Sequence, residues 1–289
     1  MHTDSSWQMG LDMLQKPVWP LCNMVCLLYL TTDYESLDEL FMQLPSELET
    51  QAGIYRVPLV VLDPYRPFLK AMEYLKRGEV PPGLPRVISP EGGPVDTFDQ
   101  VNTWIKQKVL EKELEQINSM LCAPMHCTLC CTGPAPEHEK EYFEIPLRDN
   151  EVGLFTTQSI DTEESRAKNP EDETPFLVKG TPFYRAPSAV YHWRKGWSLI
   201  LPKGSSCPNL GEDGRCHIYL ERPYVCRKPQ IFPMVLEAQD PLYPDKGELI
   251  LHDVLLAVTD CPYVEELREQ ILDYAALYGL KVVFKANKK

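Results

Sequence analysis

The chain has 289 residues, 44% of them hydrophobic and 25% charged, which is the composition of a globular protein of one large or two modest domains rather than of a disordered chain. Its 42 acidic residues outnumber 29 basic ones, for a net charge of −13. That field repels phosphate backbones and no run of five Lys or Arg offsets it, so no nucleic-acid partner is expected.

The most apolar stretch near the N-terminus, residues 17–30, has 14 residues and two prolines. It is too short to span a bilayer and lacks the basic leader and small-residue cleavage site of a secretion signal. The expectation is a cytoplasmic protein without a membrane partner. Ser36 is placed to cap a short helix through Leu40 and Phe41, with Asp38 and Glu39 at its positive end. Pro67 suits the first turn of a helix carrying Phe68, Leu69, Met72 and Leu75 on one face. Residues 80–94 are a turn-rich connector. The strongest periodic segment is 97–121, where Phe98, Val101, Ile105, Val109, Leu114, Ile117 and Leu121 form an apolar stripe behind Thr97 as N-cap.

Beyond residue 121 the pattern changes. Residues 141–147 and 190–201 read as strands, and 248–258 reads as a further strand with helix left open by its length. Residues 161–175 carry six acids against two bases and predict a solvated, mobile loop. In 261–279, Val264, Leu267, Ile271, Tyr274 and Tyr278 share a helical face that Gly279 closes, and residues 281–286 form a short strand. Proline, at 27 residues, is far above its usual share of about 5% and points to much irregular backbone. The predicted class is α+β. A helical N-terminal region (1–120) precedes a loop-rich, metal-stapled C-terminal domain (121–289) with a few short strands and a final helix.

Eight of the ten cysteines lie between residues 122 and 261, a density and spacing that in a cytosolic chain point to metal or redox chemistry. Cys122, Cys127, Cys130 and Cys131 fall in CAPMHCTLCC, where the C-x-x-C turn lets two thiolates converge on one ion. Cys207, Cys216 and Cys226 lie in a segment made irregular by Pro208, Gly211, Gly214 and Pro223, and Cys261 opens the last helix. Eight thiols exceed the four that one tetrahedral ion or one [4Fe–4S] cluster takes. Two four-sulfur sites would use them all, and the adjacent Cys130 and Cys131 are expected to diverge and serve different ions. One site with buried structural thiols is the alternative. Cys22 and Cys26 read as small core residues. His126 and His217 read as donors behind a ligand, or as exposed, rather than as ligands. Arg222 and Arg227 flank Cys226, and Arg215 precedes Cys216. These guanidinium groups either offset a multi-thiolate charge and bind an anionic cofactor or pair with Glu212, Asp213 and Glu221. Tyr219 and Tyr224 are assigned to packing, and Trp193 and Trp197 to strand or core.

These motifs resemble the CxxCxxCC cysteine-cluster family over roughly residues 121–280. Cys127, Cys130 and Cys131 match the last three cysteines of its opening motif. Cys216, Ile218, Tyr219, Arg222, Pro223, Cys226 and Arg227 match its C-x-I-Y-x-x-R-P-x-x-C-R core, and Cys207 and Cys261 match the flanking cysteines. The family's first cysteine would fall at Pro124, whereas this chain has Cys122. The resemblance implies a zinc- or iron-chelating domain.

Two functions follow. The first is a metalloprotein holding iron, as an iron–sulfur cluster, for redox or metal-assisted chemistry. The second is a zinc-stapled, non-catalytic module whose N-terminal helical region binds a protein partner. The sequence has no P-loop, G-x-G-x-x-G, H-E-x-x-H or G-x-S-x-G motif, so nucleotide binding and serine hydrolysis have no support, and catalysis of any kind stays open.

Overall fold

The apolar stripe at 97–121 becomes the axis of one of two structural units. The computed structural model describes residues 5–125, 127–227, 230–238 and 248–286 and is α+β. Packing divides it into a first unit of Met1–Pro124 with Gln230–Ala286 and a second built on Met125–Pro229.

In the first unit, helix Thr97–Cys122 buries Val101, Ile105, Val109, Leu114, Ile117 and Leu121, while Phe98 at its first turn is exposed. Its cap is Asp96 rather than Thr97. The Asp96 carboxylate accepts the Phe98 and Asp99 N–H groups at 2.9 and 3.1 Å, combining the cap oxygen with a negative charge at the helix's positive end. Helix Ser5–Gln15 crosses so near that a Cβ on Gly10 would stand 2.8 Å from Leu121 Cδ2. The apolar N-terminal stretch forms helix Trp19–Thr31, and Cys22 and Cys26 are core thiols within it. Burial pushes both thiols up, Cys26 to about 12. Ser36 caps Leu37–Met42 by accepting Glu39 N–H at 3.2 Å, and the Pro67 segment is two short helices, Arg66–Leu69 and Ala71–Lys76.

Glu248–Val258 is a strand. One edge pairs antiparallel with Ile231–Ala238; the other pairs parallel with Arg86–Ile88 and then with Lys281–Lys285. The final helix comes in two pieces, Pro262–Glu266 and Arg268–Leu277, followed by Gly279 at φ 65°. No helix among the described residues is long and apolar enough to cross a membrane.

The second unit is organised by a sheet whose strand order is Tyr142–Leu147, Gly196–Pro202, Ala189–Trp193, Ser159–Ile160. The 190–201 run is therefore a hairpin, turned at Arg194-Lys195. It reads as continuously apolar because both faces are covered. Ile145, Leu147, Val190, Leu199 and Leu201 face one cluster, which includes Cys207. Ala189, Tyr191, Trp193 and Ile200 face another, with Phe176 and Phe183. Residues 161–175 are not the mobile loop expected from their charge. Thr162 caps helix Glu163–Arg166, Arg166 binds Asp161 through two bonds of 2.6 and 2.7 Å, and Ser165 and Asn169 are buried.

The long helix also carries three buried polar residues, and each finds partners, as burial demands. Gln107 Oε1 accepts the Val235 and Leu236 N–H groups where the register of strand Ile231–Ala238 shifts. Asn118 donates to Ile231 O at 2.7 Å and accepts the Tyr263 hydroxyl at 2.5 Å. Glu113 accepts Val18 N–H at 2.8 Å, the Tyr274 hydroxyl at 2.7 Å and the Tyr278 hydroxyl at 2.5 Å. Burial outweighs these three donors and pushes the Glu113 carboxyl from 4.5 to about 7.

A carboxyl whose pKa is raised on folding favours the folded state fully below its unfolded value and loses that contribution as pH rises through the folded one. Here the contribution is about 3 kcal/mol. The stability of the unsubstituted chain, compared with Glu113→Gln by denaturant titration, should fall by about that much between roughly pH 4.5 and 7.5. Parallel pH profiles for the two proteins would remove this carboxyl from the pH response of the first unit.

Candidate metal centre

Cys130 and Cys131 lie in a 3₁₀ turn, Leu129–Cys131, closed by Cys131 N–H to Thr128 O at 2.8 Å. Neighbouring side chains do not alternate there as they would in a strand, so the two sulfurs stand 3.8 Å apart instead of diverging. The chain then runs extended against the segment that follows strand Gly196–Pro202. Cys207 N–H donates to Cys131 O at 2.7 Å, Thr132 bridges Ser206, and Gly133 N–H donates to Ser205 O at 2.8 Å. A Cβ on Gly133 would lie 1.9 Å from Pro202 O, so only glycine permits this approach.

Cys207 opens a C-P-N-L-G turn closed by Leu210 N–H to Cys207 O at 2.9 Å, and the Asn209 and Leu210 amides favour its thiolate. The chain folds back at once. Gly211 N–H donates to Arg215 O at 2.7 Å, Leu210 bridges Cys216, and His217 N–H donates to Asn209 O at 2.8 Å. These backbone pairings thus tie the segments of Cys131, Cys207 and Cys216 to one another.

Cys226 arrives on the short helix Tyr224–Arg227. Tyr224 N–H donates to Glu151 Oε1 at 2.7 Å, while Glu151 Oε2 accepts Arg148 N–H at 2.9 Å. The Arg148 guanidinium lies 3.7 Å from the centre of the Tyr224 ring. Cys131 and Cys226 pack against the cluster that contains Cys207. Arg222 is buried, bonds Tyr219 O through Nε at 2.8 Å and stacks over the Tyr219 ring at 3.7 Å.

The electrostatics record the convergence. The hydrogen bond with the Cys130 thiol pushes the Cys131 thiol up, followed by burial and by the charges of Cys130, Cys207 and Cys226. Burial, then Cys130 and Cys207, hold Cys226 at about 12; Arg222 opposes the rise and Cys216 adds to it. Burial also raises Cys207, against its bond from Asn209, and Cys216 and Cys130 raise it further. The structure therefore brings Cys130, Cys131, Cys207, Cys216 and Cys226 together. The thiols converge without closing: among the described residues, no three Cys, His, Asp or Glu side chains stand at ligand spacing around one point. The donor chemistry nevertheless fits a soft or borderline metal, because the converging groups are all sulfur.

Of the other candidates, Cys127 precedes Cys130 by three residues in the same segment, whereas Cys122, at the end of the long helix, and the buried Cys261 belong to the first unit. Arg215 pairs with Asp213. Arg222 instead lies near Cys226, and Arg227 shares its helix. His126 lies outside the described residues. Trp193 is core, and Trp197 packs on the Cys207 cluster. Three residues escaped the sequence reading: Gly133, Glu151 and Asn209. Asn209, two positions after a Cys-Pro step, carries a local signal in retrospect. Glu151 carries none, because its partner is 73 residues away.

Residues 121–246 match the model of the CxxCxxCC family, described as "Putative zinc- or iron-chelating domain". The match includes Cys122, Cys127, Cys130, Cys131, Cys207, Cys216 and Cys226 and ends short of Cys261, so it is narrower than the resemblance read to about residue 280. No curated protein and no solved structure matches the chain.

Gly133→Ala should destabilise the second unit by about 2–4 kcal/mol and lower metal uptake. Gly153→Ala, whose Cβ would meet nothing within 4 Å, should be near neutral. Equal denaturation midpoints for the two variants would mean that the Cys131–Gly133 segment is not pinned to Pro202.

Proposed function

We propose that the second unit holds iron or zinc through cysteine thiolates, with Cys130, Cys207, Cys216 and Cys226 as its ligand set and Cys127 and Cys131 beside them. The observation that carries this reading is geometric: Cys131 and Cys226 pack against the cluster that contains Cys207, Cys130 Sγ stands 3.8 Å from Cys131 Sγ, and Cys216 pairs with Leu210, three residues after Cys207. A four-thiolate set suits a tetrahedral ion or a [4Fe–4S] cluster. Cys122 and Cys261, which belong to the first unit, are outside this set. Arg222 and Arg227 supply positive charge that offsets the thiolates.

Iron comes first in this reading, as an iron–sulfur cluster with a redox or metal-assisted role; the thiolates themselves suit both metals. Zinc comes second, as a staple for a loop-rich unit whose helical neighbour binds a protein partner. Either suits a reducing cytoplasm, where thiols persist.

Anaerobic purification followed by visible spectroscopy and elemental analysis tests the proposal. Broad sulfur-to-iron absorption with about four irons per cluster supports iron, and a colourless protein with stoichiometric zinc supports the staple. Cys226→Ser should lower metal content in both cases. A chain that takes up neither metal, or a variant with unchanged content, would overturn the ligand assignment.

A further inference from the structure

The residues that support the converging thiols trace back to one short segment. The 3₁₀ turn Asp149–Leu154 follows strand Tyr142–Leu147. Within it, Glu151 is 7% exposed, and both oxygens of its carboxyl group are engaged by backbone amides, one from Tyr224, 73 residues further along the chain, and one from Arg148, three residues before it. The Tyr224 bond fixes the start of the four-residue helix that presents Cys226, too short to hold its own direction. The Arg148 bond ties that helix to the end of a strand whose Ile145 and Leu147 pack in the same cluster as Cys207.

The same turn reaches the other ligands through Asn209. Leu154 O accepts Asn209 Nδ2 at 3.0 Å, and Asn209 is 7% exposed. Asn209 lies in the turn that Leu210 N–H closes onto Cys207 O at 2.9 Å, and its carbonyl accepts the N–H of His217, the residue next to Cys216. One six-residue turn therefore touches the supports of Cys207, Cys216 and Cys226.

We infer that the turn Asp149–Leu154 is the frame that orients the metal ligands, with Glu151 the positioning residue for Cys226 and Asn209 for Cys207; this rests on the metal-binding reading above. The chemistry of residue 151 is specific. Two amide donors aimed at two oxygens need an acceptor pair of glutamate length. Glutamine turns an NH₂ towards one donor, and aspartate is a methylene too short to span both. Outer partners of this kind change how firmly a metal is held without being ligands.

The test uses the full chain loaded with cobalt(II) or zinc, affinity being read by chelator competition and geometry by the cobalt–thiolate absorption bands. Glu151→Gln and Asn209→Ala should keep the wild-type stoichiometry at saturating metal, bind roughly 10- to 100-fold more weakly and shift the cobalt bands. Glu163→Gln, an exposed change of the same type, should leave both readouts unchanged. Wild-type affinity and spectrum in Glu151→Gln would overturn the positioning role while leaving the metal reading intact, whereas failure of the unsubstituted chain to bind any metal would overturn that reading instead. If Glu151→Gln does not fold, amide exchange at Tyr224 in the unsubstituted chain decides. Slower exchange with metal than after chelation supports the frame, and equal rates overturn it.

Discussion

Sulfurs that ionise do not gather of their own accord. In a chain of net charge −13, each thiolate added to a cluster raises the cost of the next, and burial adds a desolvation cost to each. The upward-shifted thiols of Cys131, Cys207 and Cys226 express this cost. Convergence must therefore be imposed by the backbone and balanced by positive charge. Arg222, buried and stacked on Tyr219, is the cation that opposes the rise at Cys226.

The imposing structure is the small sheet of the second unit. Its strands alternate side chains between two covered faces, so one face can centre on aromatic packing around Phe183, Tyr191 and Trp193, whose ring centroids lie 4.9–6.0 Å apart. The other face is left to aliphatic residues and to Cys131, Cys207 and Cys226. The cysteine segments have almost no regular structure of their own. They inherit position by pairing with the ends of the sheet, as Cys131 does through Cys207 and Gly133 through Ser205. A glycine at 133 is the condition for that pairing.

Much of this was legible in the residues, and the failures have physical causes. Periodicity located the long helix because its apolar face is fully buried, and the C-x-x-C-C and G-R-C-H-I-Y-L-E-R-P-Y-V-C-R runs located the cysteine centre because their chemistry is local. The Thr97 cap failed because Asp96, one residue earlier, is the better acceptor. The 161–175 loop failed because composition counts charges and not their pairing: Arg166 and Asp161 neutralise each other within the segment. The divergence expected of Cys130 and Cys131 assumed strand geometry where the chain makes a 3₁₀ turn. Long-range polar contacts left no local trace: Glu151 meets Tyr224, and Asn118 meets Ile231, across 73 and 113 residues.

The two buried glutamates show how partner chemistry decides the role of one residue type. Two of the three donors to Glu113 are tyrosine hydroxyls, which can accept as readily as they donate. Its site therefore remains hydrogen-bonded whether or not the carboxyl carries a proton, and burial can move its titration towards neutrality without leaving a polar group stranded. Both donors to Glu151 are backbone amides, which only donate. That site has use for an acceptor pair alone, and its geometry is set by the fold on both sides. The first arrangement lets a helical core respond to pH. The second makes a strut, and it lies at the start of the four-residue helix that carries Cys226.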